Sequence, residues 1–493
     1  MKPALILVLT ALGSMGIAQG DTGVATPHSR PNVLFISVDD LNDWIEPLGG
    51  HPQARTPNFS RLANQSVTFT RNYCPSPGCN PSRSATMTGL HPSTTGMYSN
   101  YQDWRKAIPQ ATTLGSAFRE HGYFSAGGGK IFHYTQIDRT GWDAYFPSLE
   151  KPMPEAFYPK PGETVNMPQF PGMYGDFDWA PIPLEDEETA DGRTVSWIIE
   201  QLQRRHERPF FLACGLYRPH VPWYVPQKYF DLYPLESLQL PKVLESDRDD
   251  LGERALDLAD RGGAYHRHVV AADQWKPAVQ GYLASISYAD AMLGRLLDAL
   301  EASPYARNTV VVLWSDHGWQ LGEKRHWRKF ALWDNVARCP LFIRDPNGTN
   351  AGQRCDRVTS LIDLYPTLLE LCGLPARKDL DGRSLVPLLH DPKATWDHPA
   401  LTSYDITEFA VSTERWRYIR YLDDTEELYD LQNDPEEWHN LAERPELAEI
   451  KSRLAVAIPH NPAPLRENTL IELQPHHVPP YLSKEDYLRR NAK

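Results

Sequence analysis

The chain has 493 residues and carries 50 basic against 63 acidic side chains, a formal net charge of −13. That length allows a sizeable core and two or three domains, and the acidic balance excludes a broad basic face for nucleic acid. With 41% hydrophobic and 11% aromatic residues the chain is folded, not disordered, and any anionic ligand must be held by a few local cations.

Residues 1–20 (MKPALILVLTALGSMGIAQG) combine Lys2, an apolar run from Ala4 to Leu12 and small residues at Gly16, Ala18 and Gly20. They read as a signal peptide, too short for a permanent membrane helix, rather than as a buried strand. The expectation is export to a periplasm or the extracellular medium, or to a lysosome in a eukaryote, with no membrane attachment after cleavage. Export permits disulfides, yet six cysteines without a CxxC pair are too sparse to hold so long a chain together. Cys214 and Cys372 lie inside apolar runs and read as small core hydrophobes, whereas Cys79 has only Pro, Gly, Asn and Ser around it.

Asn32–Val38 (NVLFISV) is a nearly continuous apolar run that ends in Asp39-Asp40, as expected of a strand buried on both faces. A weaker strand, 123–126, runs into Gly127-Gly128-Gly129-Lys130, where glycine lets backbone approach a ligand closely. Segment 151–190, rich in Pro, Gly and acidic residues, reads as a long surface insertion. Phe210–Leu216 (FFLACGL) leads into Tyr217-Arg218-Pro219-His220, a stiff loop that fixes the direction of its imidazole. Apolar residues recur at helical spacing over 279–300, and a third strand of the same character, 309–314, ends in Ser315-Asp316-His317-Gly318.

Strand–helix alternation with all-apolar strands predicts an α/β fold: a mainly parallel sheet sandwiched by helices, with ligands at the carboxyl ends of its strands. After Pro375 the texture changes to short alternating runs such as 416–421 (WRYIRY) and 427–431 (ELYDL), which predict a smaller C-terminal α+β subdomain with a small antiparallel sheet. The division expected is a signal peptide at 1–20, a catalytic domain at 31–375 and the C-terminal subdomain at 395–493.

Asp39, Asp40 and Asp316 with His317 would gather on one sheet edge, and hard oxygen donors of that kind suit Ca²⁺ or Mg²⁺ better than Zn²⁺. Taken singly, each aspartate is as readily a helix cap. Cationic candidates are Arg83, Lys130 with His133 (GGGKIFH), His220 and Lys329 (HWRKF), each of which alone is ordinary surface chemistry.

Cys79-Asn80-Pro81-Ser82-Arg83, followed by SATMTG, resembles the signature of formylglycine-dependent sulfatases. PNVLFISVDDLND, TPNFSRLA, GKIFH, YRPHVPW, SDHGWQLGE and ELYDLQNDPEEWHNLA resemble that family's motifs in the family's order, from about Pro31 to Leu441. The 98–104 stretch, GKIFH and YRPHVP are most similar to the iduronate-2-sulfatase branch, whose fold is the alkaline-phosphatase-like α/β/α sandwich.

The resemblance implies that a maturation enzyme, reading Cys79, Pro81 and Arg83 in the unfolded chain, converts Cys79 to formylglycine. It implies further that Asp39, Asp40, Asp316, His317 and modified Cys79 surround one divalent ion, Ca²⁺ in this reading. Arg83 would steady the aldehyde hydrate, Lys130 and Lys329 would bind sulfate, His220 would protonate the leaving oxygen and His133 would trigger sulfate expulsion. The substrate expected is a sulfated carbohydrate, with the 2-position of a uronate as one target; Tyr101, Asp103, Trp104, His326 and the 151–190 insertion are candidates for a sugar subsite, and each is as readily structural. Two alternatives stand beside this: a phosphoester hydrolase of the same superfamily, against which Cys79 argues, and a glycan-binding relative that never gains its aldehyde.

Overall fold

A computed structural model of the protein describes Met1 and residues 30–134, 136–170 and 175–466, without the side chains of 261–264. The expected signal peptide and the end of the C-terminal segment lie outside the described residues. An eight-stranded sheet runs in the order Arg354–Ser360, Val67–Tyr73, Leu341–Arg344, Thr309–Ser315, Asn32–Val38, Phe210–Leu216, Phe124–Gly129, Ala144–Phe146. Neighbours are parallel except Leu341–Arg344, which is antiparallel to both of its neighbours.

The central strands carry apolar residues on both faces, and both faces are covered. Leu34, Ile36, Leu212, Val311 and Leu313 pack under helices Ala190–Gln203 and Trp275–Ala302. Val33, Phe35, Phe211, Val312 and Trp314 pack under helices Leu114–Glu120 and Leu364–Leu371. Residues 32–38 are continuously buried because alternate side chains feed two separate cores. All six cysteines are buried and free, and Cys214 and Cys372 sit in the two cores as expected.

Two expectations are corrected. Gly127 to Gly129 lie inside strand Phe124–Gly129, not after it. A Cβ at Gly127 would fall 2.9 Å from the Tyr145 ring, and one at Gly129, at φ +72°, would strike the Gly215 carbonyl, so these glycines admit neighbouring rings and backbone. Segment 151–190 is not merely surface: its strand Trp179–Ile182 pairs in parallel with Trp223–Pro226, and Trp179 is buried in the main core.

A separate antiparallel sheet runs Ala400–Ser403, Phe409–Ser412, Trp416–Arg420, Glu426–Asp430. One face packs Phe409, Val411, Tyr418 and Leu428 on helix Ala448–Ala455. The other packs Ala410, Ile419 and Tyr429 against Leu332, Trp333 and Val336. Among the described residues no helix is long and apolar enough to cross a membrane.

Candidate active site

Four adjacent parallel strands end together. Asn32–Val38 delivers Asp39 and Asp40, Thr309–Ser315 delivers Asp316 and His317, Phe124–Gly129 delivers Lys130, and Phe210–Leu216 leads to His220. Asp40 is held at φ +59°, a strained backbone for a non-glycine residue, with its N–H directed at Asp316 Oδ1, 3.2 Å away.

Cys79 is the first residue of helix Cys79–Thr88, whose N-cap, Gly78, supplies no side-chain cap. The helix's positive end therefore faces the reaction centre. Asn100 Oδ1 accepts from Asn80 N at 2.9 Å, and Ser82 Oγ donates to the Asp316 carbonyl at 2.6 Å, which moors this end to the strand. Arg83, wholly buried, donates from Nε to Asp316 Oδ2 at 2.8 Å and from its terminal nitrogens to Asp39 Oδ1 at 3.0 Å and the Lys130 carbonyl at 2.5 Å.

Cys79 Sγ lies 2.8 Å from Lys329 Nζ, 3.4 Å from His317 Nε2 and 3.8 Å from Asp39 Oδ1. Lys329 also donates to Asp40 Oδ1 at 2.6 Å, and Lys130 Nζ to Asp39 Oδ2. His220 Nε2 is 3.8 Å from Asp40 Oδ2, while its Nδ1 sits 2.6 Å from the Val221 carbonyl and so carries the proton. His317 is set the same way: Nδ1 faces the Gly318 carbonyl at 2.9 Å, which frees Nε2 toward the carboxylates. His133 is buried and neither ring nitrogen has a hydrogen-bond partner. The sequence-predicted residues thus converge.

Burial pushes Asp40 up to about 7 despite Lys329, whereas Asp316 is held well below the carboxylate range because Arg83, His317 and Lys329 outweigh burial. Burial likewise pushes the Cys79 thiol up to about 12, only partly opposed by Lys329 and Lys130, so at neutral pH it is a protonated, weak nucleophile. Burial and the two ammonium groups hold His133 and His220 well below the usual imidazole value.

The donor set fits a hard divalent cation. Ligand atoms of Asp39, Asp40, Cys79 and His220 lie within 4.8 Å of one another, as do those of Cys79, Asp316 and His317. Asp40 Oδ2 is buried without a hydrogen-bond partner, an orphaned oxygen that a cation would satisfy.

The sugar-subsite candidates fare differently. Asp103 caps helix Trp104–Ala107 and pairs with Arg105 at 2.8 Å, Trp104 is buried against Phe132, and His326 Nε2 lies 3.1 Å from the Lys329 carbonyl. Of the four only Tyr101 is exposed. Unanticipated are Tyr134 and Tyr217, whose rings flank Lys130 Nζ at 4.8 and 4.9 Å and pack against His133 and His220. Their places directly after GKIFH and directly before Arg-Pro-His were the available signal.

The sheet and its covering helices form an alkaline-phosphatase-like α/β fold, with carboxylates, lysines and imidazoles at the carboxyl edge where such sheets bind their ligands. A family model described as Sulfatase matches residues 31–374, and one described as N-sulphoglucosamine sulphohydrolase, C-terminal, matches 322–461. A sulfatase of Formosa agariphila is 40% identical over 460 residues, covering 91% of this chain and 90% of that one. Iduronate 2-sulfatase of Mus musculus is 30% identical over 408 residues, covering 73% and 71%. In structure the chain is similar to a 2-O GAG sulfatase (TM-score 0.67, 22% identity, 86% and 90% covered). It is equally similar in fold to a phosphonate monoester hydrolase from Silicibacter pomeroyi (TM-score 0.70, 21% identity, 87% and 94% covered). The chain belongs to the sulfatase family and is an enzyme that hydrolyses sulfate esters.

Proposed function

We propose that this enzyme is an exported sulfatase that removes sulfate from a carbohydrate, the 2-O-sulfate of a uronate being the foremost target, by means of a formylglycine at position 79 and one Ca²⁺. The observation that carries the reading is the meeting at Cys79 of Lys329 at 2.8 Å, His317 at 3.4 Å and Asp39 at 3.8 Å, around a thiol that burial keeps protonated. A side chain so placed is at the reaction centre yet unfit to react as a thiol. The likeness to an iduronate 2-sulfatase and a 2-O GAG sulfatase supports the choice of substrate.

A formylglycine at position 79, once hydrated, would supply one hydroxyl to attack sulfur and displace the sugar oxygen, and a second whose deprotonation would expel the sulfate and restore the aldehyde, an exit that a thiol lacks. Ca²⁺, held by Asp39, Asp40, Asp316 and His317, would favour the ionised hydroxyl and draw charge from the sulfate oxygens. Arg83 fixes Asp39 and Asp316 in position for this. Lys130 and Lys329 turn their ammonium groups to the sulfate oxygens, each such donor contributing about 3 kcal/mol to the transition state. His220 delivers a proton from Nε2 to the departing sugar oxygen once the bound anion has offset the two lysines. His133, held neutral, takes the proton that releases sulfate.

Cys79 is 1% exposed and Arg83 fully buried, which supports conversion of Cys79 by a maturation enzyme acting before the chain has folded. The test is to produce the full chain with and without such an enzyme and assay defined sulfated mono- and disaccharides. Sulfate release, greatest for a uronate 2-sulfate and in proportion to the converted fraction, is expected. Equal inactivity on every sugar in fully converted protein would overturn the reading.

A further inference from the structure

The reaction centre is approached from one side by a backbone that resists its own conformation. Between Gly322 at φ +124° and Phe330 at φ +69°, Lys324, Arg325 and Arg328 also adopt positive φ, at +50°, +52° and +79°. Each is a conformation that a side-chain-bearing residue holds only when its surroundings enforce it. This tight path presents Lys329 Nζ 2.8 Å from Cys79 Sγ and 2.6 Å from Asp40 Oδ1.

What enforces it lies outside the reaction centre. Lys324 is 3% exposed, and its ammonium donates to Asp247 Oδ1 at 2.6 Å and to the Glu437 carbonyl. The rings of Trp333 and Tyr429 close over that ammonium at 5.6 and 5.2 Å. Downstream of Lys329 the anchors come from the same direction. Glu437 accepts from Asp334 N at 2.8 Å and pairs with Arg417 at 3.3 Å, Arg417 donates to the Leu332 carbonyl, and Glu427 accepts from Trp333 Nε1 at 2.9 Å. Tyr429, Glu427, Arg417 and Glu437 all belong to the C-terminal sheet or the turn after it.

We infer that Lys324, caged by Asp247, Glu437, Trp333 and Tyr429, is a positioning residue for Lys329, and that the C-terminal sheet is the clamp that holds the sulfate-binding ammonium in place. The link is short: Gly322 N–H bonds the His326 carbonyl at 2.9 Å, and His326 Nε2 sits 3.1 Å from the Lys329 carbonyl. A buried ammonium is costly to place unless several partners satisfy it, and here four do so, none of them among the residues gathered at Cys79. This inference rests on the sulfate-binding role proposed above for Lys329.

The experiment uses the converted full-length enzyme, with hydrolysis of para-nitrophenyl sulfate and inhibition by inorganic sulfate as readouts. Lys324→Met is compared in the native and Lys329→Ala backgrounds. Because Lys324→Met leaves Asp247 buried and unpaired, Lys324→Met with Asp247→Asn removes both charges, and Lys324→Gln with Asp247→Asn serves if that pair does not fold. The native background should lose about 10- to 100-fold in kcat/KM, with sulfate inhibition weakened to a similar degree. In the Lys329→Ala background the same change should alter kcat/KM by less than about twofold, since the residue acts through a side chain already removed. Lys324→Arg should restore most of the loss.

A folded variant with native sulfate inhibition, or an equal loss in both backgrounds, would overturn the inference. Unaltered sulfate inhibition in Lys329→Ala alone would instead overturn the role proposed for Lys329.

Discussion

Two segments meet at the Cys79 sulfur, and they are built on opposite terms. Helix Cys79–Thr88 reaches it with ordinary helical backbone, an extended Gly78 before it and a left-handed Gly89 after it, and with every residue buried. The 322–330 turn reaches it through positive φ at Lys324, Arg325, Arg328 and Phe330. The first is secured by contacts it makes within the catalytic sheet, chiefly Ser82 and Arg83 on Asp316 and Asp39. The second is secured from outside, through Lys324 within it and Trp333 and Asp334 just after it, by Asp247, by Glu427 of the C-terminal sheet and by Glu437 of the turn beyond that sheet. Rigid placement of a catalytic group can therefore come from good local geometry or from bad local geometry firmly clamped, and only the first is cheap to encode in a short motif.

The contrast predicts different failures. Arg83→Met should strike stability hardest: it leaves Asp39 and Asp316 buried without their cation, for a loss of about 3–5 kcal/mol in the unfolding free energy measured with urea. Excess Ca²⁺ should return part of that loss by binding the folded state. An Arg83→Met enzyme of native stability would mean that the carboxylates do not need the guanidinium.

Lys329→Ala should weigh more on turnover, lowering kcat/KM by about 10²–10³-fold, and should cost less stability than Arg83→Met, because it strips its cation from one buried carboxylate, Asp40, where Arg83→Met strips two. A collapse in stability with intact turnover of the folded fraction would count against the clamp.

A smaller, shared effect comes from acid. Burial holds His91, beside the first segment, and His326, within the second, each at about 4, only partly opposed by the carbonyls they contact. An imidazole depressed from 6.5 binds protons more weakly in the folded chain than in the unfolded one. Its contribution to stability is thus complete above about 6.5 and lost as pH falls toward about 4, at up to about 1.4 kcal/mol per pH unit for each. Urea unfolding of His326→Gln and His91→Gln across that window should show a shallower decline than the native chain, and an unchanged slope in both would refute the assignment.

Much of this was legible in the residues. The apolar strands ending in Asp39-Asp40 and Asp316-His317 gave the sheet edge, and the Cys79–Arg83 motif marked the residue proposed as nucleophile, because each is a local pattern with a local cause. The glycines of 127–129 were misread since what they accommodate, Tyr145 and Gly215, is remote in sequence. His326, a candidate for a sugar subsite or equally for a structural role, holds backbone at Ala259 and Lys329, and nothing around Lys324 in the sequence marks it. A charged residue in a polar run gives no sign that two aromatic rings and a distant sheet will enclose it. Long-range burial of polar groups is the part that pattern reading does not reach.

The most direct test concerns position 79 itself. In Cys79→Ser the side chain keeps one hydroxyl to attack sulfur but has no second to expel it. Incubation with a sulfated substrate, followed by mass spectrometry of the tryptic peptide 72–83, should then show a single turnover of leaving-group release and sulfate ester left on Ser at that position. Sustained turnover with an unmodified peptide would contradict attack from residue 79.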